Sequence, residues 1–123
     1  MTKILIVDDD AFMRRLLHQV LHQSGYEVII ATNGQEGINK IASENPDLVV
    51  MDQHMPNMNG DEALRILRAD PNTRALPILI ASATLESNDV EKLERAGATG
   101  FIPKPFQVKQ LLPTIQQQLA HDT

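Results

Sequence analysis

Cysteine and tryptophan are both absent from the 123 residues, aromatic residues make up only 3%, and 11 Lys or Arg face 16 Asp or Glu. Each shortage closes off a class of function. Without thiols the chain is no disulfide-stapled secreted scaffold, no zinc ribbon and no thiol enzyme, and a cytoplasmic setting is expected. The formal net charge of -5 argues against direct nucleic-acid binding, which neutralises phosphates with clustered Lys and Arg. So few aromatic rings also leave little on which single strands could stack. No apolar run approaches the roughly 18 residues of a membrane span. Met1-Thr2-Lys3 leads straight into Ile4-Leu5-Ile6-Val7, with no signal-peptide apolar region, so no membrane is expected. Carboxylates, His, Ser, Thr and Lys remain as chemical groups, on a chain of one domain's length with an ordinary 42% of hydrophobic residues.

Short unbroken apolar runs lie at Ile4 to Val7, Val28 to Ala31, Leu48 to Met51, Ile78 to Ala81 and, more weakly, Phe101-Ile102. Runs without polar alternation fit strands buried on both faces of a parallel sheet. Between them stand segments of helical spacing: Phe12, Leu16 and Val20 with Leu17 and Leu21; Ile38 with Ile41; Ala63, Leu64 and Leu67 with Ile66; Val90 and Leu93 with Ala96. Ser24-Gly25, Asn45-Pro46, Asp70-Pro71-Asn72 and Gly97 supply the stops. Val108, Leu111, Leu112, Ile115 and Leu119 form a last amphipathic stretch whose Gln116 to Gln118 face water. Pro113 predicts a late start or a kink in that helix. The strand-helix unit recurs about five times, at intervals of roughly 20 to 30 residues, which predicts an α/β doubly wound open parallel sheet spanning 1–123 as one domain.

In such a sheet the C-terminal strand ends share one edge, where ligands bind. Asp8, Asp9 and Asp10 follow the first strand, Asp52 the third, Ser82 the fourth, and Lys104 the fifth. Carboxylates gathered in one cleft repel one another unless a cation neutralises them. Oxygen-only donors favour a hard, partly hydrated ion, which makes Mg2+ the candidate cofactor. A carboxylate nucleophile with Mg2+, a Lys and a hydroxyl is equipped for phosphoryl transfer, with an aspartyl phosphate as product.

Ile4-Leu5-Ile6-Val7-Asp8-Asp9, Asp47 to Asp52 with Met55-Pro56-Asn57-Met58-Asn59-Gly60, Pro77 to Ala83, and Gly97-Ala98 leading to Gly100-Phe101-Ile102-Pro103-Lys104-Pro105-Phe106 resemble the motifs of bacterial two-component response-regulator receiver domains, in order and spacing. The resemblance covers essentially the whole chain, as a stand-alone receiver or one part of a larger regulator. It implies a flavodoxin-like five-stranded sheet of order 2-1-3-4-5 and a phosphorylation-dependent signalling domain that assists its own phosphotransfer and dephosphorylation. Asp52 would be the phosphoacceptor. Asp9, Asp52 and the backbone carbonyl of His54 would hold Mg2+, with Asp8 helping through water. Lys104 would contact the phosphoryl group, Ser82 would move to hydrogen-bond it, and Phe101 would be the switch aromatic. His54 and Thr84 stand where side chains influence how water reaches the acyl phosphate. A cis bond before Pro105 is also implied. The partners implied are a histidine kinase or histidine phosphotransfer protein, a downstream effector or output domain, and a phosphorylation-linked homodimer.

Other readings compete for the same residues. Asp10 suits an N-cap for the helix starting at Ala11. Asp8-Asp9-Asp10 also resembles the Asp-x-Asp of haloacid-dehalogenase-like phosphohydrolases, with Asp8 as nucleophile and Asp10 as acid/base, although no later acidic pair supplies that family's metal. An unphosphorylated receiver-like scaffold is a further alternative. His18 and His22, four apart, are read as solvent-facing and off the Phe12-Leu16-Val20 face. Met51, Met55 and Met58 lack the thiolate or His partners of a soft-metal site. Pro103 removes a ladder donor, so the fifth strand should be short and at an edge.

Overall fold

The computed structural model describes residues 1–83 and 86–121. Strands and helices alternate as β1 (Lys3–Val7), α1 (Ala11–Gln23), β2 (Glu27–Ala31), α2 (Gly34–Glu44), β3 (Leu48–Asp52), α3 (Gly60–Ala69), β4 (Ile78–Ser82), α4 (Ser87–Ala96), β5 (Gly100–Pro103) and α5 (Val108–His121). All strand pairs are parallel, and the sheet order is β2-β1-β3-β4-β5.

Burial on both faces explains the unalternated runs of β1, β3 and β4, but not that of β2, an edge strand whose Val28, Ile29 and Ile30 are only half-buried. Leu5, Val7, Val49, Met51, Ile78 and Ile80 point to one side and pack with Ile41 of α2, Leu64 of α3 and Leu93 of α4. Ile4, Ile6, Leu48, Val50 and Leu79 point to the other and meet Leu17 and Leu21 of α1 and Leu111 and Ile115 of α5. Each fully buried aliphatic side chain contributes about 1.5–3 kcal/mol, so β1, β3 and β4 anchor the whole domain. No helix among the described residues is long and apolar enough to cross a membrane.

Local chemistry ends the elements where the sequence indicates. Asp10 caps α1 by accepting from the Phe12 N–H at 2.9 Å, and Asn33 caps α2 through the Glu36 N–H at 2.8 Å. Gly97 terminates α4 at φ 115°, a left-handed conformation that glycine adopts without a Cβ penalty. β5 has four residues and, among the described residues, pairs with β4 alone, so Pro103 stands on an edge strand. The Lys104–Pro105 bond is cis.

Three expectations need correction. Phe12 is 69% exposed, and the core side of α1 is carried by Leu17 and Leu21. With about 3.6 residues per turn, Phe12 lies about 140° around the axis from Leu17, outside the stripe that meets the sheet. His18 is half-buried, and its ring stacks on that of exposed His22 with centroids 5.7 Å apart. The late start of the last helix is not observed: α5 runs from Val108 through Pro113. Pro113 and Lys109 are both exposed, so the hydrogen bond that Pro113 cannot make is lost on the outer face of the helix, where the loss costs least.

Candidate functional site

Strand register brings together residues far apart in sequence. Val7 pairs with Met51, Asp52 with Ala81 and Ser82 with Pro103. The residues at or just beyond these strand ends therefore line one edge: Asp8, Asp9, Asp52, Ser82 and Lys104. One carboxylate oxygen from each of Asp8, Asp9 and Asp52 lies within 4.8 Å of the other two. Asp8 and Asp52 are buried, while Asp9 is exposed. The Lys104 ammonium reaches in from beyond β5, 3.2 Å from Asp8 Oδ2 and 3.1 Å from Asp52 Oδ2.

Three carboxylates against one ammonium leave surplus negative charge in a partly desolvated edge. Burial raises the Asp8 pKa, the Asp10 N–H opposes the shift, and the Asp52 charge adds to it. Burial works against the Lys104 ammonium too, yet its hydrogen bonds and attraction to Asp52 and Asp8 prevail and hold its pKa above the ordinary value. A hard divalent cation would relieve the remaining repulsion. This all-oxygen donor set fits Mg2+.

Backbone contacts hold the acids in place. Asp8 Oδ1 accepts the Asp10 N–H at 2.9 Å, and the Asp8 carbonyl accepts from Arg14 Nη1 at 2.8 Å. Beyond Asp52, the Gln53 N–H donates to Ala81 O at 3.0 Å, and the Gly60 N–H donates to Gln53 O at 2.8 Å. The loop between β3 and α3 is thus tied at both ends, and it turns through Asn57 at φ 70°. His54 is exposed on this loop. Met51 and Met55 are buried among apolar neighbours, and Met58 packs against them half-buried, as structural methionines do.

Phe101, half-buried on β5, packs on the side of the sheet that carries α2, α3 and α4. Thr84 lies outside the described residues. Ser82 is buried at 2% exposure, and its hydroxyl donates to Gln53 Oε1. Gln53 is the site residue that sequence reasoning passed over. Its signal was modest: a hydrogen-bonding amide placed directly after Asp52 at a strand end.

Asp10 turns its carboxylate to the Phe12 and Met13 N–H groups. It acts as the cap of α1, so the phosphohydrolase reading loses its acid/base. A degenerate scaffold is not supported either, because the acids, hydroxyl and ammonium are all gathered at one edge. A separate groove of about 720 Å3 between α3 and α4, lined by Arg65, Arg68, Lys92 and Arg95 among others, contains none of these acids.

Comparison with known proteins agrees with this geometry. The response regulator receiver domain model matches residues 4–116. The chain is 41% identical over 117 residues to the chemotaxis protein CheY of Thermotoga maritima, covering 94% of this chain and 95% of that protein. The structure of chemotaxis response regulator CheY4 of Vibrio cholerae superposes with TM-score 0.91 at 32% identity, over 96% of this chain and 98% of that one. The receiver domain of sensor histidine kinase PA1611 from Pseudomonas aeruginosa, described with a magnesium ion coordinated in its active site cleft, gives 0.89 at 27% identity over 97% and 98%. Motifs, sheet order and the family match together establish that this chain belongs to the response regulator receiver domains, the phosphorylation-dependent switches of two-component signalling.

Proposed function

We propose that Asp52 accepts a phosphoryl group from the phosphohistidine of a kinase or phosphotransfer protein. The observation that carries this reading is the buried Asp52 carboxylate gripped at Oδ2 by Lys104 at 3.1 Å. That contact orients the carboxylate for in-line attack and places a fixed positive charge where phosphoryl oxygens would accumulate negative charge. A carboxylate oxygen of Asp52 forms the new P–O bond as the P–N bond of the donor breaks. The electron pair stays with the departing imidazole, which takes up a proton. Asp9, Asp52 and the carbonyl of His54 would hold Mg2+, with Asp8 acting through water; when bound, the ion supplies further charge neutralisation at the phosphoryl oxygens.

The added charge then draws the Ser82 hydroxyl toward a phosphoryl oxygen, and Phe101 repacks toward the space vacated. The surface formed by α4, β5 and α5 changes with it and is read by a downstream effector, an output domain or a second copy of the chain. His54 and Thr84 govern the approach of water to the acyl phosphate and so set its lifetime, an activity of the domain on itself. The setting is cytoplasmic. Incubation with a radiolabelled small-molecule phosphodonor and Mg2+ tests the assignment: wild type and Asp10→Ala take up label, and Asp52→Ala does not. Undiminished labelling of Asp52→Ala would overturn it.

A further inference from the structure

We infer that Gln53 is a latch that holds the Ser82 hydroxyl away from the phosphoryl position and thereby sets how readily the domain switches. This rests on the assignment of Asp52 and Ser82 above and deepens it. The Ser82 hydroxyl donates to Gln53 Oε1. A serine hydroxyl has a single proton, so it cannot serve Gln53 and a phosphoryl oxygen on Asp52 at once. Phosphorylation has to break the first bond to make the second.

The frame around the pair confines the change to side-chain rotation. The β3–β4 register pairs Asp52 with Ala81, which places Gln53 opposite Ser82 one step further along. Gln53 is pinned through its N–H to Ala81 O at 3.0 Å and its carbonyl to the Gly60 N–H at 2.8 Å. Ser82 is pinned through its carbonyl, which accepts the Lys104 N–H at 2.9 Å. With both backbones hydrogen-bonded and Ser82 buried, the latch needs only the Ser82 Oγ to rotate from Gln53 toward the phosphoryl group. Apparent affinity for a phosphoryl group falls in proportion to the fraction of molecules whose hydroxyl is available. Gln53 lowers that fraction without touching the phosphoryl group, which makes it a positioning residue.

The test measures binding of beryllofluoride, a phosphoryl mimic, at saturating Mg2+ for wild type, Gln53→Met, Ser82→Ala and the double variant, followed by backbone amide shifts. Methionine keeps the length of the side chain and removes the amide acceptor. Gln53→Met should bind the mimic about two- to tenfold more tightly, the worth of one ordinary hydrogen bond. In the Ser82→Ala background the same substitution should change nothing, because the donor is gone. Affinity for Mg2+ alone should stay the same in Gln53→Met, which a general loosening of the site would not allow. Equal mimic affinity in wild type and Gln53→Met, or an equal gain with and without Ser82, would overturn the latch. Failure of wild type to bind the mimic at all would instead overturn the phosphoacceptor assignment.

Discussion

Gly60 stands so close to Asp52 that a Cβ added to the glycine would lie 3.0 Å from the aspartate's carbonyl oxygen and 3.2 Å from the Cα of Gln53. Both obstacles are backbone, which cannot swing aside as a side-chain tip can. The first residue of α3 is therefore a glycine because the loop after Asp52 returns onto the strand it left.

Gly60→Ala follows as a test of that closeness. The loop must shift by a few tenths of an ångström, moving Asp52 and the His54 carbonyl relative to Lys104. Small displacements at a reacting centre cost far more in rate than in stability. The expected outcome is a folded protein whose phosphorylation rate from a small-molecule donor falls about tenfold. A stopped-flow or labelling time course measures it, and an unchanged rate would show that the loop position does not matter.

Asp8 gives a prediction about pH. Its folded-state pKa is raised, first by burial and then by the charge of Asp52. Below the unfolded-state value near 3.8, both states are protonated and Asp8 contributes no pH dependence. As pH rises, the unfolded chain loses its proton first, and the folded state then ionises at a cost; wild-type stability falls through this window relative to a chain without the group. Asp8→Asn should therefore be more stable than wild type at neutral pH in Mg2+-free buffer, with the advantage fading toward pH 4. Denaturant unfolding at several pH values reads it directly. Added Mg2+ should stabilise wild type more than the variant, narrowing the gap.

Gly37 sets two effects against each other. Alanine in a helix interior gains about 1 kcal/mol over glycine from backbone entropy. A Cβ at Gly37, however, would meet Val7 Cγ2 at 2.8 Å, and overpacking a tight contact costs about 1–3 kcal/mol. Gly37→Ala should thus be destabilising by up to about 2 kcal/mol, the difference between those terms. In a Val7→Ala background the clash disappears, and the same substitution should become stabilising. Thermal or denaturant midpoints of the four proteins decide the matter, and a destabilisation that persists without Val7 would count against the packing argument.

Much of the architecture could be read along the chain. Four unbroken apolar runs and their stops at Gly25, Asn45 and Gly97 correspond to strands and terminated helices; burial on both faces leaves no room for polar alternation in β1, β3 and β4, whereas edge strand β2 is only half-buried at Val28, Ile29 and Ile30. The weak fifth run was also legible, since Pro103 can belong only to an edge strand. Phe12 misled for a physical reason: a large apolar side chain at helical spacing satisfies the periodicity whichever neighbour it faces, and its position about 140° around α1 from Leu17 leaves it outside. Of the two outcomes Pro113 allowed, the late start is absent, because one lost hydrogen bond on a solvated helix face is tolerable when Leu111 and Ile115 are anchored beneath.

Asp8, Asp9, Asp52, Ser82 and Lys104 were all visible in the sequence because each sits at a strand end, and parallel strands deliver their ends to one edge whatever the detail between them. Sequence by itself determined the alternating fold, the set of chemical groups and the absence of thiol chemistry. Tertiary structure alone decided which acids share the ammonium, that Gly60 abuts Asp52, and that Gln53 holds the hydroxyl of Ser82. Composition and periodicity follow from burial averaged over an element, whereas a hydrogen bond depends on cross-strand register and a rotamer, fixed only once β3 and β4 lie side by side.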